Sequence, residues 1–293
     1  MRFSLLGIAL FVAAALVAPR SLDAIAQSDA LRAALTFHAP FDGTLDAAHA
    51  AGNAKLYTAP SLARRAEATP GLPAAGETVH SKGEGKFGDA LRMTIRRKPV
   101  VYFEAAKNVA YSASNWSGTV SFWLSVDPAT QLDLGFCDPI QITPRQWDDA
   151  AFFVEFEKKA DAIPFRLGAF PDRAVWNTTA TPSAQTPMEM RPLISVDKPP
   201  FGAGKWTHIV FTFDRFNTGQ ANAVTKLYLD GRPAGELPPR LQTFTWDPER
   251  STIAMGLSYV GLFDELSVFE RALSDAEVAA LHALPRGVTG LLR

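Results

Sequence analysis

Apolar residues recur at every second position along most of this chain, and that period constrains the fold more than any other feature. In residues 119–126, TVSFWLSV, the side chains of Val120, Phe122, Leu124 and Val126 fall on one side. Thr119, Ser121, Trp123 and Ser125 fall on the other. Successive side chains of an extended strand point to opposite faces, so the pattern describes a strand with one buried face. Residues 33–41 repeat it, with Leu35, Phe37, Ala39 and Phe41 against Thr36, His38 and Pro40. Residues 207–213 set Thr207, Ile209, Phe211 and Phe213 opposite His208, Val210 and Thr212. Residues 151–157 set Phe152, Val154 and Phe156 opposite Phe153, Glu155 and Glu157. Residues 226–229 run into Asp230-Gly231, a tight-turn dipeptide.

Helical periodicity is convincing only near the C-terminus. Ser274 is a good N-cap, Glu277 three residues on completes a capping box, and Leu273 and Val278 occupy the staple positions. This predicts one short helix from Ser274 to about Leu284. Many strands, turn residues between them and one late helix predict an all-β, two-sheet antiparallel sandwich.

The first residues read as a processing segment. Arg2 is followed by an apolar run over residues 3–17, then Pro19 and an Ala24-Ile25-Ala26 cleavage pattern. That order matches a secretory signal peptide over residues 1–26, leaving a domain of residues 27–293. The expected location is secreted or periplasmic, with no membrane span after cleavage. Lysines and arginines number 29 against 30 aspartates and glutamates, and no basic stripe appears, so no nucleic-acid partner is expected. The single cysteine, Cys137, excludes an intrachain disulfide and is expected to be buried and inert. Residues 130–200 are the least regular. Pro182, Pro187, Pro192, Pro199 and Pro200 fall there, and we read the region as strands with long excursions.

Six segments in order resemble the LamG-like, concanavalin A-like jelly-roll family. They are ALTFHAPFDGTLDA (34–47), GKFGDALRM (85–93), GTVSFWLSV (118–126), KWTHIVFTFD (205–214), KLYLDGRPAGE (226–236) and GLFDELSVFERALSDAEVAAL (261–281). The resemblance covers roughly residues 33–284 and is weakest over 130–200. It implies a jelly-roll sandwich with one concave sheet and with the first and last strands close together. It implies less about function, because the fold hosts lectins, adhesive modules and glycosidases.

Asp264 poses a specific problem. It shares parity with Leu266 and Val268, so it points to the packed side of its strand. A buried, unpaired carboxylate is costly and needs a partner. The family resemblance implies a structural calcium ion there, with Asp42, the Gly88 backbone and Asp264 as the matching positions. The alternative is that Asp264 accepts hydrogen bonds from backbone amides of a neighbouring turn.

For a ligand, the tryptophans are the candidates. Trp123 shares its strand face with Thr119, Ser121 and Ser125, which would make a platform for a sugar ring unless a loop covers it as a second small core. Trp147, Trp176 and Trp246 sit in loop-like segments among charges, where binding residues collect. Glu155 and Glu157 would lie about 7 Å apart on one strand face, within the roughly 5 to 9 Å that glycoside hydrolysis uses. The E-x-D-x-x-E pattern of similar glycosidases is absent, however, and Lys158-Lys159 suggests a solvated face. No metal-protease, nucleophile-elbow or phosphate-loop motif occurs. His38, His49, His80, His208 and His282 are scattered, and His208 reads as structural. The expected function is non-catalytic recognition, with a glycan as the ligand. The alternatives are an adhesive or structural module binding a cell-surface protein, and a divergent glycosidase or lyase. An open groove with exposed tryptophans favours the first, a plugged groove the second, and facing carboxylates of raised pKa the third.

Overall fold

The structure is a computed structural model that describes residues 22–96 and 99–292. Two antiparallel sheets enclose one main core, the jelly-roll sandwich that the alternation and the resemblance predict. The nine-stranded sheet runs Arg232–Arg240, Ala223–Leu229, Trp206–Phe216, Trp116–Ser125, Gly261–Phe269, Leu35–Ala39 and His49–Ala50. Ala90–Met93 also pairs with Gly261–Phe269 and carries Thr78–Ser81 on its other edge. The eight-stranded sheet runs Leu193–Val196, Phe165–Phe170, Ala151–Lys158, Gly135–Thr143, Thr252–Met255, Val100–Glu104, Tyr57–Ala59 and Thr69–Pro70. The first strand, Leu35–Ala39, pairs with the last, Gly261–Phe269, as the resemblance implies.

The apolar parity of each strand enters the core. Phe122 and Val120 pair across with Ile209 and Phe211, and all four join Phe37, Phe103, Phe152 and Trp116 between the sheets. Phe152 of one sheet meets Phe213 of the other at a ring separation of 4.7 Å. Each fully buried ring of this kind stabilises the fold by about 1.5–3 kcal/mol, so the core is the main source of stability. Cys137 is buried in it, and burial pushes its thiol pKa up, which disfavours the reactive thiolate.

Residues 130–200 are less irregular than their prolines suggest. They supply four of the eight strands of one sheet. The longest stretch without a strand, residues 171–192, forms short helical turns such as Arg173–Trp176.

Helices cover the outer face of the nine-stranded sheet. The predicted C-terminal helix is Asp275–His282, with both halves of its capping box formed around Ser274 and Glu277. Leu273 and Val278 are buried beside its start. A second helix, Leu22–Ala34, spans the expected boundary between the processing segment (1–26) and the domain (27–293) and takes in the first two residues of the strand expected over 33–41, which begins at Leu35. Leu31 and Ala34 bury against a small second core with Leu35, Val278, Leu281 and Leu291. The Ala24-Ile25-Ala26 pattern lies in this helix, while the apolar run before it lies outside the described residues. Among the described residues, no helix is long and apolar enough to cross a membrane.

Candidate functional site

Asp264 is fully buried. Its Oδ2 accepts from the backbone amides of Lys86 at 2.8 Å and Phe87 at 3.2 Å, and its Oδ1 from the amide of Glu265 at 2.8 Å. These amide partners are the alternative weighed for this residue. Asp42 stands nearby and accepts from the amide of Asp89 at 2.8 Å. Gly88 packs so closely that a β-carbon would reach 2.1 Å from Asp42 Oδ1, so only glycine fits. Burial raises the pKa of Asp264 to about 8; the three amides offset this in part, and Asp42 adds to it. Among the described residues no Lys, Arg or His side chain pairs with this carboxyl, and burial favours its protonated form. Among the described residues, no group of three or more His, Cys, Asp or Glu side chains is placed to share a metal ion.

Trp123 is not an open platform. It is 4% exposed. His208 and His282 stack on it at 4.6 and 5.3 Å, Lys86 Nζ lies 4.5 Å over its ring, and Phe87 meets it edge-on. The C-terminal helix and the Lys86-Phe87 segment therefore roof this part of the sheet. His208 is structural: its Nε2 shares a hydrogen bond of 2.8 Å with Ser121 Oγ, and burial lowers its pKa to about 3. Trp246 is also inside, 6% exposed, donating from Nε1 to the Ala150 carbonyl at 2.7 Å.

The outer face of the eight-stranded sheet carries a pocket of about 210 Å³ instead. Three adjacent strands build it: Gly135–Thr143, Ala151–Lys158 and Phe165–Phe170. Their core parity (Ile140, Ile142, Phe152, Val154, Leu167, Ala169) faces inward. Strand alternation turns Gln141, Phe153, Glu155, Arg166 and Phe170 outward, a register shift between Cys137 and Ile140 does the same for Phe136 and Asp138, and these line the pocket with Trp147, Arg191 and Leu193. Phe153 and Phe170 stack at 5.5 Å and form an apolar floor. Trp147 stands against both, edge-on, at 6.0 and 5.6 Å. Trp176 braces Phe170 from behind at 4.9 Å and donates from Nε1 to the Asp148 carbonyl. Trp147 remains 41% exposed and Phe136 49%. Two rings of a site otherwise packed are therefore partly open to solvent.

The polar wall is charge-balanced. Arg166 lies across the strand pair from Glu155, donates to it from Nη2, and reaches Glu157 from Nη1 at 2.8 Å. Its guanidinium also lies 5.2 Å over the Phe136 ring. Glu155 is buried rather than on a solvated face. Burial raises its pKa to about 8 despite Arg166, and Asp138, hydrogen-bonded to it, is raised as well. Each carboxyl thus influences the ionisation of the other.

Of the four predicted tryptophans, the structure brings Trp147 and Trp176 to one place and buries Trp123 and Trp246 elsewhere. Phe136, Phe153, Phe170 and Arg166 are contributors that the sequence reading passed over. The available signal was the aromatic residue on the polar parity of two successive strands, Phe153 in one and Phe170 in the next.

Comparison with known proteins agrees with this architecture. A model of the concanavalin A-like lectin/glucanases superfamily matches residues 102–279. A search of curated proteins returned no match. Among solved structures, the chain is similar to domain 4 of AbnA, a GH43 extracellular arabinanase from Geobacillus stearothermophilus, in complex with arabinotriose. Identity is 18% and the TM-score 0.50, covering 84% of this chain and 96% of that one. It is also similar to the binding domain of Paraclostridial Mosquitocidal Protein 1 (14% identity, TM-score 0.52, 86% of this chain and 52% of that one). The binding domain of botulinum neurotoxin serotype D gives 11% identity and a TM-score of 0.55, over 87% of this chain and 52% of that one. The chain spans about half the length of these two toxin domains. At such identities the likeness is one of fold.

Proposed function

The chain belongs to the concanavalin A-like lectin/glucanases superfamily, and from that premise we propose that it is a non-catalytic, exported module that recognises a carbohydrate. The observation that carries this reading is the outer-face pocket, with Trp147 and Phe136 partly exposed beside the Arg166–Glu155 wall. Sugars place their C–H faces on aromatic rings and their hydroxyls on polar groups, and the pocket supplies both. The similar AbnA domain, seen in complex with arabinotriose, supports the same ligand class.

Two carboxyls of raised pKa do meet in this pocket, which was the sign set for a hydrolase. Their spacing argues against one. Asp138 and Glu155 are in direct hydrogen-bond contact, closer than the roughly 5 Å that even retaining glycosidases need to seat a sugar between their carboxyls. Glu155 and Glu157 are both engaged by Arg166. A panel of polysaccharides tests the reading: retention without release of sugar supports it, and release of reducing ends overturns it.

We also propose that a calcium ion joins the first and last strands. Asp42, Asp264 and the backbone at Gly88 would hold it, with backbone oxygens completing the shell. The closeness of two carboxyls, Asp264 and Asp42, supports this: a cation between them would favour the ionised form that burial disfavours. Its role would be structural.

A further inference from the structure

A second pocket, of about 570 Å³, lies on the same outer face as the aromatic one. Thr143, Arg145, Gln146, Thr252, Arg65 and Arg250 line it. The two pockets are neighbours by construction. Gln141 lines the aromatic pocket and Thr143 the second, two residues apart on one strand face and so roughly 7 Å from each other. Gln146 and Trp147, adjacent in sequence, form the ridge between them.

The charge in the second pocket is unbalanced. Arg145 is held in place by Asp149 at 3.1 Å and Asp172 at 3.0 Å, so it is a neutralised wall. Arg65 and Arg250 differ. Among the described residues neither forms an ion pair with a carboxylate, and Arg65 donates only to the Arg250 carbonyl. The neighbouring Glu67 is taken by Arg64. Burial disfavours the charge on Arg65, and Arg250 beside it acts the same way. Arg65, half-buried, and Arg250, exposed, line one pocket, and a bound oxyanion would take bidentate, charge-assisted hydrogen bonds from them.

We propose that the Arg65–Arg250 pocket is a subsite for the acidic group of a glycan, a carboxylate or a sulfate ester, whose neutral ring occupies the aromatic pocket across the Gln146-Trp147 ridge. The assignment to a glycan rests on the carbohydrate-binding reading. The anion site itself does not.

The experiment separates the two. The thermal midpoint of the full chain is followed against inorganic sulfate, with sodium chloride at equal ionic strength as reference, for the wild type and Arg65→Gln/Arg250→Gln. A saturable rise in the wild type that the double variant lacks is the expected result; equal responses overturn the proposal. Matched neutral, uronate-bearing and sulfated oligosaccharides are then titrated. One acidic class should bind about tenfold tighter than its neutral parent, and the double variant should bind the two alike. The preferred class distinguishes carboxylate from sulfate. An acidic preference that survives in the double variant overturns the subsite but leaves the glycan reading standing. A sulfate response with no glycan bound overturns the assignment to a glycan. Should the double variant fail to fold, the exposed Arg250→Gln alone is used, with Arg250→Lys expected to restore part of the response.

Discussion

Gly168 lies directly across the strand pair from Phe153, and a β-carbon at Gly168 would come within 2.3 Å of the Phe153 ring. The bare backbone is what lets that ring lie flat on the sheet and floor the pocket. Gly168→Ala should therefore lift Phe153 into Trp147 and Phe170. We expect a loss of about 1–3 kcal/mol in stability, the usual cost of overpacking. Ligand affinity should fall with it, measured by denaturant unfolding and by titration of the ligand found on the panel. A variant with unchanged affinity would show that the floor does not contact the ligand.

Trp147 separates binding from stability. Its ring is half free, so Trp147→Ala removes a binding face at little structural cost. Affinity for the glycan should drop more than about tenfold, as at a central aromatic contact. The melting temperature should change far less than in Trp246→Ala, which empties a buried site and costs about 3–5 kcal/mol. Equal loss of stability in the two variants would contradict this assignment.

The Glu155–Asp138 pair predicts a pH dependence. Glu155 has a folded pKa of about 8 against a reference of 4.5. The folded chain keeps a proton that the unfolded chain has lost, so over that interval stability falls as pH rises. His38 and His208 act in the opposite sense. Their pKa values, lowered to about 3 by burial, make stability rise with pH only up to about 6.5. Above that only the carboxyl trend remains, and thermal midpoints should decline from pH 6.5 to 9. Glu155→Gln, neutral at every pH, should make the decline shallower. An identical slope in variant and wild type would show that Glu155 is already ionised in the fold.

The proposed calcium ion gives a fourth outcome. At pH 7, millimolar calcium should raise the midpoint of the wild type and a chelator should reverse it. Asp264→Asn should abolish the response while keeping an acceptor for the Lys86 and Phe87 amides. A wild-type midpoint indifferent to calcium and chelator would leave the amides as the sole partners of Asp264.

Period-two alternation is a local property, and the core side of most strands was legible from it; in Gly261–Phe269 a bulge between Asp264 and Ser267 breaks the parity, so Phe263 joins Leu266 and Val268 in the core and Asp264 lies beside Trp123 on the other face. Val120, Phe122 and Leu124 had only one way to face once their strand formed, because a pleated chain must put alternate side chains on opposite sides. The capping box at Ser274 was equally local, needing only residues 273–278. The order of six segments along the chain then sufficed to identify the sandwich. The site was a different matter. Trp123 and Phe153 have the same signature, an aromatic residue on the polar parity of a strand, yet one lies roofed by the helix Asp275–His282 and the other floors a pocket. Which outer face receives a helix depends on packing between segments more than 100 residues apart in sequence. The pairing of Glu155 with Arg166 depends likewise on the register between two strands. Alternation along the chain determined which side chains turn away from the core, and only tertiary packing decided which of them meet solvent, because burial is a property of the neighbours that the folded chain brings from elsewhere.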